Sequence, residues 1–191
     1  MLRSRQNRFL LGIALAVILL GILLIVLFSR SSNTVSIPAP KPMAAYAADP
    51  TAQVSMLIDG PVNAPSLHNQ VQIIVSNTST IMNIYSGYDD MVKANYSFPM
   101  SVAAFHVFLR SLESAGYNSG NNDPSLSQAS GYCPTGDRYI FSFNVDNKQV
   151  ERYWTTSCNG THTFNGNTDL TIQLFEAQVP NYFSLTEGLN V

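Results

Sequence analysis

Three histidines, twelve carboxylates and two cysteines are the side chains of this chain whose types could do chemistry. Few of them are spaced for it. His68, His106 and His162 are far apart, and there is no H-x-x-x-H, H-E-x-x-H or G-x-S-x-G. Neither a zinc-protease helix nor a serine nucleophile elbow is therefore encoded. His106 falls on the polar face of an amphipathic segment and reads as solvated. His162 sits in Thr161-His162-Thr163 between two Asn-Gly turns, as an exposed loop tip would. Asp89 and Asp90 are adjacent, and sequence neighbours seldom share the geometry of a general acid and base, so the pair reads as a turn. Asn118 to Asp123 offers oxygen ligands without the D-x-[DN]-x-[DN]-G spacing of a calcium loop. No glycine-rich loop opens a helix after a strand, which leaves nucleotide binding without a cradle. These spacings nominate no catalytic residue, no cofactor and no metal ligand.

The cysteines are more informative. Tyr139, Phe141, Phe143 and Val145 alternate with polar or smaller partners, and Asp146-Asn147 tolerate the positive φ of a two-residue hairpin turn. With that turn, Val145 faces Lys148, Phe143 meets Val150, Phe141 meets Arg152, and Tyr139 meets Trp154 as a cross-strand aromatic pair. Carried to the open end, the register brings Cys133 close to Cys158. A disulfide Cys133–Cys158 is expected. Two thiols do not complete a zinc site, and a redox pair normally reads C-x-x-C.

The elements that must position these residues follow from periodicity. Gln70 to Val75 alternates as a strand, Ile81 to Tyr85 is a second, and Val92 to Phe98 a shorter third. After Pro99, Val102, Phe105, Phe108, Leu109, Leu112 and Ala115 recur at spacings of three and four, the stripe of an amphipathic helix. Ser101 caps its start and Gly116 its end. Tyr117 to Gly131 is rich in Asn, Ser, Gly and Asp and reads as a long loop. After the hairpin, Asn159-Gly160 and Asn165-Gly166 are turns. Thr168 then caps a second helix with Leu170, Leu174 and Ala177 on one face, which Pro180 ends. The order β-β-(β)-α-β-β-α predicts an α+β domain, an antiparallel sheet with two helices on one face.

Charge and hydropathy place the domain. Phe9 to Phe28 is a run of twenty residues without a charge, long enough for the hydrocarbon core of a bilayer. Arg3, Arg5 and Arg8 precede it and Arg30 follows, so residues 1–8 are expected in the cytoplasm, 9–28 across the cell membrane as a single pass, and the remainder outside. A cleaved signal peptide fits less well. Its small-x-small site would be Ala45-Tyr46-Ala47, well beyond the run, and the run exceeds a signal core. A pilin-type start would need a glycine before the run and a glutamate inside it. Residues 29–53 alternate prolines through Ile37 to Met43 and read as a Pro/Ala/Ser linker. The domain then spans 54–191. From Asp49 onward five bases face twelve acids, a net of −7. Such a domain is a poor partner for nucleic acid or an anionic surface. The three N-x-[ST] triplets, at Asn77, Asn95 and Asn159, are what composition alone provides.

Over Gly131-Tyr-Cys-Pro-Thr-Gly-Asp-Arg-Tyr139 and Trp154-Thr-Thr-Ser-Cys158, the chain resembles membrane-anchored extracytoplasmic proteins of ultrasmall, candidate-phylum bacteria. The likeness covers most of the domain. That family has no established activity, so the resemblance implies placement and little else. A looser similarity, over about 26 residues, is to subtilisin inhibitors, where a Cys-Pro near a reactive loop leads into a hairpin and a second cysteine. Here Gly136 follows Thr135 where such a loop is cut, and the second disulfide of those inhibitors is missing. The expectation is a non-enzymatic module that binds an envelope protein or polymer and meets the lipid bilayer through 9–28. The alternative is a protease inhibitor presenting Cys133–Arg138.

Overall fold

The structure, a computed structural model, describes residues 41–191. The expected segments 1–8 and 9–28, and residues 29–40 of the expected linker, lie outside the described residues. Among the described residues, no helix is long and apolar enough to cross a membrane.

Six strands form one antiparallel sheet: β1 Gln53–Asp59, β2 Asn69–Ser76, β3 Ser79–Ser86, β4 Met91–Pro99, β5 Arg138–Val145 and β6 Lys148–Thr156. Their spatial order is β4-β3-β2-β1-β5-β6. Helices α1 Val102–Ser114, α2 Thr168–Glu176 and the short α3 Tyr182–Thr186 complete the domain. The α+β class stands, with one strand more than expected. That strand, β1, is the hub of the sheet, pairing β2 on one side and β5 on the other. Val54, Met56 and Ile58 point from it into the core beside Val71, Ile73 and Val75 of β2, and Phe105, Phe108, Leu109 and Leu112 of α1 cover them. Burying this apolar face is the main stabilising term of the domain.

The expected linker is corrected at its C-terminal end. Met43 and Ala47 are buried, and a 3₁₀ turn over Met43–Tyr46 joins the main core. Thr51 Oγ1 accepts from the Asp146 backbone N–H at 3.0 Å, and Asn77 Nδ2 donates to the Asp49 carbonyl at 3.2 Å. These bonds tie the segment to the β2–β3 and β5–β6 turns. Polyproline spacing does not oppose this, because apolar side chains next to prolines still find a core.

Helix α1 follows its sequence signals. Ser101 Oγ accepts from the Ala104 N–H at 3.2 Å. At the other end Gly116 has φ +79°, and the Tyr117 N–H reaches back to the Leu112 carbonyl at 3.0 Å. This is a Schellman closure. Helix α2 departs from expectation. Asn167, not Thr168, is the cap, its side chain accepting from the Leu170 N–H. The buried face carries Thr171 and Phe175, whereas Leu170 is 41% exposed. Thr171 is accommodated because its hydroxyl donates to the Asn167 carbonyl at 2.8 Å.

The β5–β6 hairpin turns at Asp146 and Asn147, both at positive φ. Val145 faces Lys148 and Asn144 faces Gln149, as the turn dictates. The register then shifts between Phe143 and Asn144, and Phe143 faces Glu151. One extra residue, Val150, is bulged out. Beyond it each residue changes partner and face. The expected Tyr139–Trp154 pair does not form: Tyr139 faces Thr155 and Trp154 faces Ile140. Trp154 lies on the side of the sheet away from the helices. There it forms a second core with Ile140 and Ala129, against which Leu57 and Tyr132 pack. The 117–136 loop builds that core by wrapping the β6 edge. The Trp154 Nε1–H donates to the Leu126 carbonyl at 2.6 Å, and Arg152 donates to the Ser127 carbonyl.

Candidate functional site

Cys133 and Cys158 sit at disulfide distance, with Cα atoms 5.6 Å apart. They meet because Cys133 to Gly136 is a tight turn, closed by the Gly136 N–H on the Cys133 carbonyl at 3.3 Å, which folds Cys133 back over the hairpin end. A side chain at Gly136 would run into Ser157 Oγ and lie 2.8 Å from Cys133 Sγ. The Cys133–Arg138 segment is thus compact rather than extended. Its arginine is 4% exposed and turned inward, so the protease-inhibitor reading gains no support from this geometry.

The histidines separate into three environments. His106 is exposed on α1, and His162 is exposed in its loop, with Nδ1 2.8 Å from the Gly160 carbonyl. Asp89 and Asp90 are exposed in the β3–β4 turn. His68 is fully buried. Its Nδ1 lies 3.1 Å from the Pro61 carbonyl, its Nε2 3.1 Å from Asp59 Oδ1, and its ring stacks on Tyr88 at 4.1 Å. The Nε2 approach to Asp59 lies off the hydrogen-bond direction, so it is a close electrostatic contact rather than a bond. Asp59 Oδ2 accepts from Arg138 Nε at 2.8 Å, and its Oδ1 from Gln70 Nε2 at 3.1 Å. A second Arg138 nitrogen donates to the Gly60 carbonyl at 2.7 Å. Sequence reading missed this network, because it depends on β1.

The network closes one end of a face that is unlike the rest of the molecule. Over β1 to β4 the side of the sheet away from the helices is open, while over β5 and β6 the 117–136 loop covers it. Register fixes what the open side presents. Asn95, Asn83, Gln72 and Leu57 stand in one row across four strands, and Ser97, Ile81, Ile74 and Ser55 in the next. The first row is hydrogen-bonded laterally. Asn95 Nδ2 donates to Asn83 Oδ1 at 2.6 Å, Asn83 Nδ2 to Gln72 Oε1 at 3.4 Å, and the Tyr85 hydroxyl to the same Gln72 oxygen at 2.8 Å. Asp59 is the one charged residue on this side of β1 to β3, and Arg138 neutralises it. Lys93 stands exposed at the β3–β4 bulge, on the outer edge. Apart from that ion pair, the floor is uncharged and rich in planar amides and hydroxyls. Such groups both donate and accept, and suit a ligand that does the same without carrying charge.

Neither a protein-family model nor a curated protein matches this chain.

Proposed function

We propose that this chain is a membrane-anchored, extracytoplasmic binding module rather than an enzyme, and that the open face of β1 to β4 holds an uncharged, hydroxyl-rich polymer of the cell envelope. The observation that carries the reading is the laterally bonded amide row Asn95–Asn83–Gln72 with Tyr85 beside it. Amides already oriented by one another lose little side-chain entropy on meeting a row of hydroxyls. A charged polymer would meet no complementary charge on this floor. Placement rests on the apolar run 9–28 and its flanking arginines, with the disulfide pair belonging to an oxidising compartment.

Co-sedimentation of the protein with insoluble neutral polysaccharides (chitin, cellulose and curdlan) tests the binding. Retention of the wild-type chain on at least one polymer, lost in Gln72→Ala/Asn83→Ala/Asn95→Ala, is the expected result. Equal retention of the triple variant refutes the assignment of the face. Placement is tested by protease shaving of intact cells, which should remove the domain and spare residues 1–8.

A further inference from the structure

On the opposite, helix-bearing side of the sheet, a cavity of about 220 Å³ opens between the end of β5 and the α2–α3 corner. Chemistry-bearing groups from four places converge on it. Asp137 comes from the residue before β5 and Tyr139 from β5 itself, Glu176 from the last position of α2, and Tyr182 from the first of α3. Ile58 and Ile172 supply an apolar wall, and Phe183, 79% exposed, stands at the mouth. No lysine, arginine or histidine is among the lining residues. The neighbouring guanidinium of Arg138 leaves β5 on the other side of the sheet and is committed to Asp59 and Gly60.

Two features set this cavity apart. Tyr182 is only 7% exposed, yet among the described residues its hydroxyl has no hydrogen-bond partner, and the groups acting on it are Glu176, Tyr139 and Asp137. Tyr139 does have a partner, its hydroxyl donating to Asp137 Oδ2 at 3.4 Å. All four acidic groups also hold their protons more tightly than usual, burial being the first cause in each. The Asp137 and Glu176 carboxyls are pushed up, Tyr139 rises to about 12, and Tyr182 rises further. Two half-buried carboxyls and a phenol without a partner among the described residues thus line the site, and the nearest cation, Arg138, acts on Asp137 from outside the lining.

We propose that this cavity binds a small organic ammonium ion, with its N–H groups between Asp137, Glu176 and the Tyr182 hydroxyl and its alkyl chain against Ile58 and Ile172. The volume lies below that of pockets for drug-sized ligands and suits a short chain. An alkyl ammonium uses every feature of the lining: carboxylates for its charge, aromatic faces for cation–π attraction and aliphatic groups for its stem. A bare metal ion would leave the apolar wall unused, and among the described residues no three His, Cys, Asp or Glu side chains gather to hold one. An anion would meet only acids.

The test is an NMR titration of the ¹⁵N-labelled full chain in non-ionic detergent micelles with n-butylammonium chloride, against n-butanol and sodium chloride as controls. Saturable shifts confined to residues 137–139 and 172–186 are expected with the amine alone. Glu176→Gln and Asp137→Asn should each weaken binding about tenfold, the loss of one charge-assisted contact. Tyr182→Phe, which removes one exposed-to-cavity oxygen without changing shape, should weaken it severalfold and keeps the test decisive if an acid variant misfolds. Equal shifts with n-butanol, shifts centred elsewhere, or variants that bind as wild type overturn the proposal. So does the lack of any saturable change by roughly 50 mM amine, where even a millimolar site is full. The polymer-binding face lies on the other side of the sheet, so its triple variant should leave these shifts intact.

Discussion

Replacing Asp59 by alanine should be among the most damaging single changes outside the main core. Arg138 is 5% exposed at its side chain and Asp59 22%, with Nε and Oδ2 2.8 Å apart. Removing the carboxylate leaves a buried guanidinium with one remaining partner, the Gly60 carbonyl, and deprives Gln70 of its acceptor. Breaking a buried pair from one side costs about 3–5 kcal/mol, and the partial exposure of Asp59 places this case near 3. For a unit of this size that is a fall of roughly 6–12 °C in the thermal midpoint. Most of the loss comes from the stranded charge, which has a second, sharper consequence. Asp59→Ala/Arg138→Met should be more stable than Asp59→Ala alone by about 1–2 kcal/mol, because the guanidinium is gone and a methionine fills its channel. Urea denaturation of the folded unit 41–191, with the slopes compared to confirm unchanged exposure on unfolding, measures both. A loss below about 1 kcal/mol in the single variant, or a double variant no better than the single, would refute the account.

Four further expectations follow from other parts of the fold. Cys133→Ser/Cys158→Ser should keep the fold and lose about 3.5 kcal/mol on the loop-entropy account, and mass spectrometry of the unreduced wild type should find no free thiol. Tyr117→Phe removes a buried hydroxyl that reaches the Ser55 and Ser142 carbonyls at 2.9 and 2.8 Å, linking β1 to β5. It should cost about 1–2 kcal/mol by chemical denaturation. A side chain at Gly120 would enter the Tyr153 ring, so Gly120→Ala should lose about 1–3 kcal/mol, part of it regained in Gly120→Ala/Tyr153→Leu. Burial raises the carboxyls of Asp137, Glu151 and Glu176, and Glu113 adds repulsion at Glu151. At these three groups the folded state therefore binds more protons than the unfolded one, whereas the lowered carboxyls of Asp49 and Asp123 act in the opposite sense, below the ordinary aspartate value. Stability should fall as pH rises above the ordinary values of 3.8 for aspartate and 4.5 for glutamate, levelling off once the raised groups have ionised. Glu151→Gln should flatten that fall, and a profile unchanged by it would assign the slope elsewhere.

Some elements were legible because one local signal decided them. Ser101 and Gly116 bound α1, and Asp146-Asn147 turn a hairpin, through backbone chemistry that needs no distant partner. β1 was not legible, for a physical reason. Val54, Met56 and Ile58 alternate correctly, but Leu57 between them is also apolar, since it packs against the second core around Trp154. A strand with a core on each side loses its period-two contrast. The Val150 bulge was hidden for a different reason. Gln149-Val150-Glu151 contains nothing that marks an extra residue, and the shift is fixed by which face the residues beyond it must bury. Phe141 belongs to the helix-side core and Trp154 to the other, and only the shifted register satisfies both.

The same distinction governs the candidate sites. Alternation in β2 and β3 already separates Val71, Ile73 and Val75 from Gln72 and Asn83, so the polar character of the outer face was present in the sequence. That these amides form a row was not. It requires Asn83 to stand opposite both Gln72 and Asn95, a matter of register across two hairpins. The Asp59–Arg138 pair spans 79 positions, and the cavity draws on β1, β5, α2 and α3 together. Asp137, Glu176 and Tyr182 carry no mutual spacing that a motif could record. Their convergence follows from the hub position of β1, because Ile58 pairs with Tyr139 and thereby brings the end of β5 under the α2–α3 corner. A chemistry assembled in this way becomes visible only once the one strand that lacks a clean sequence signal is in place.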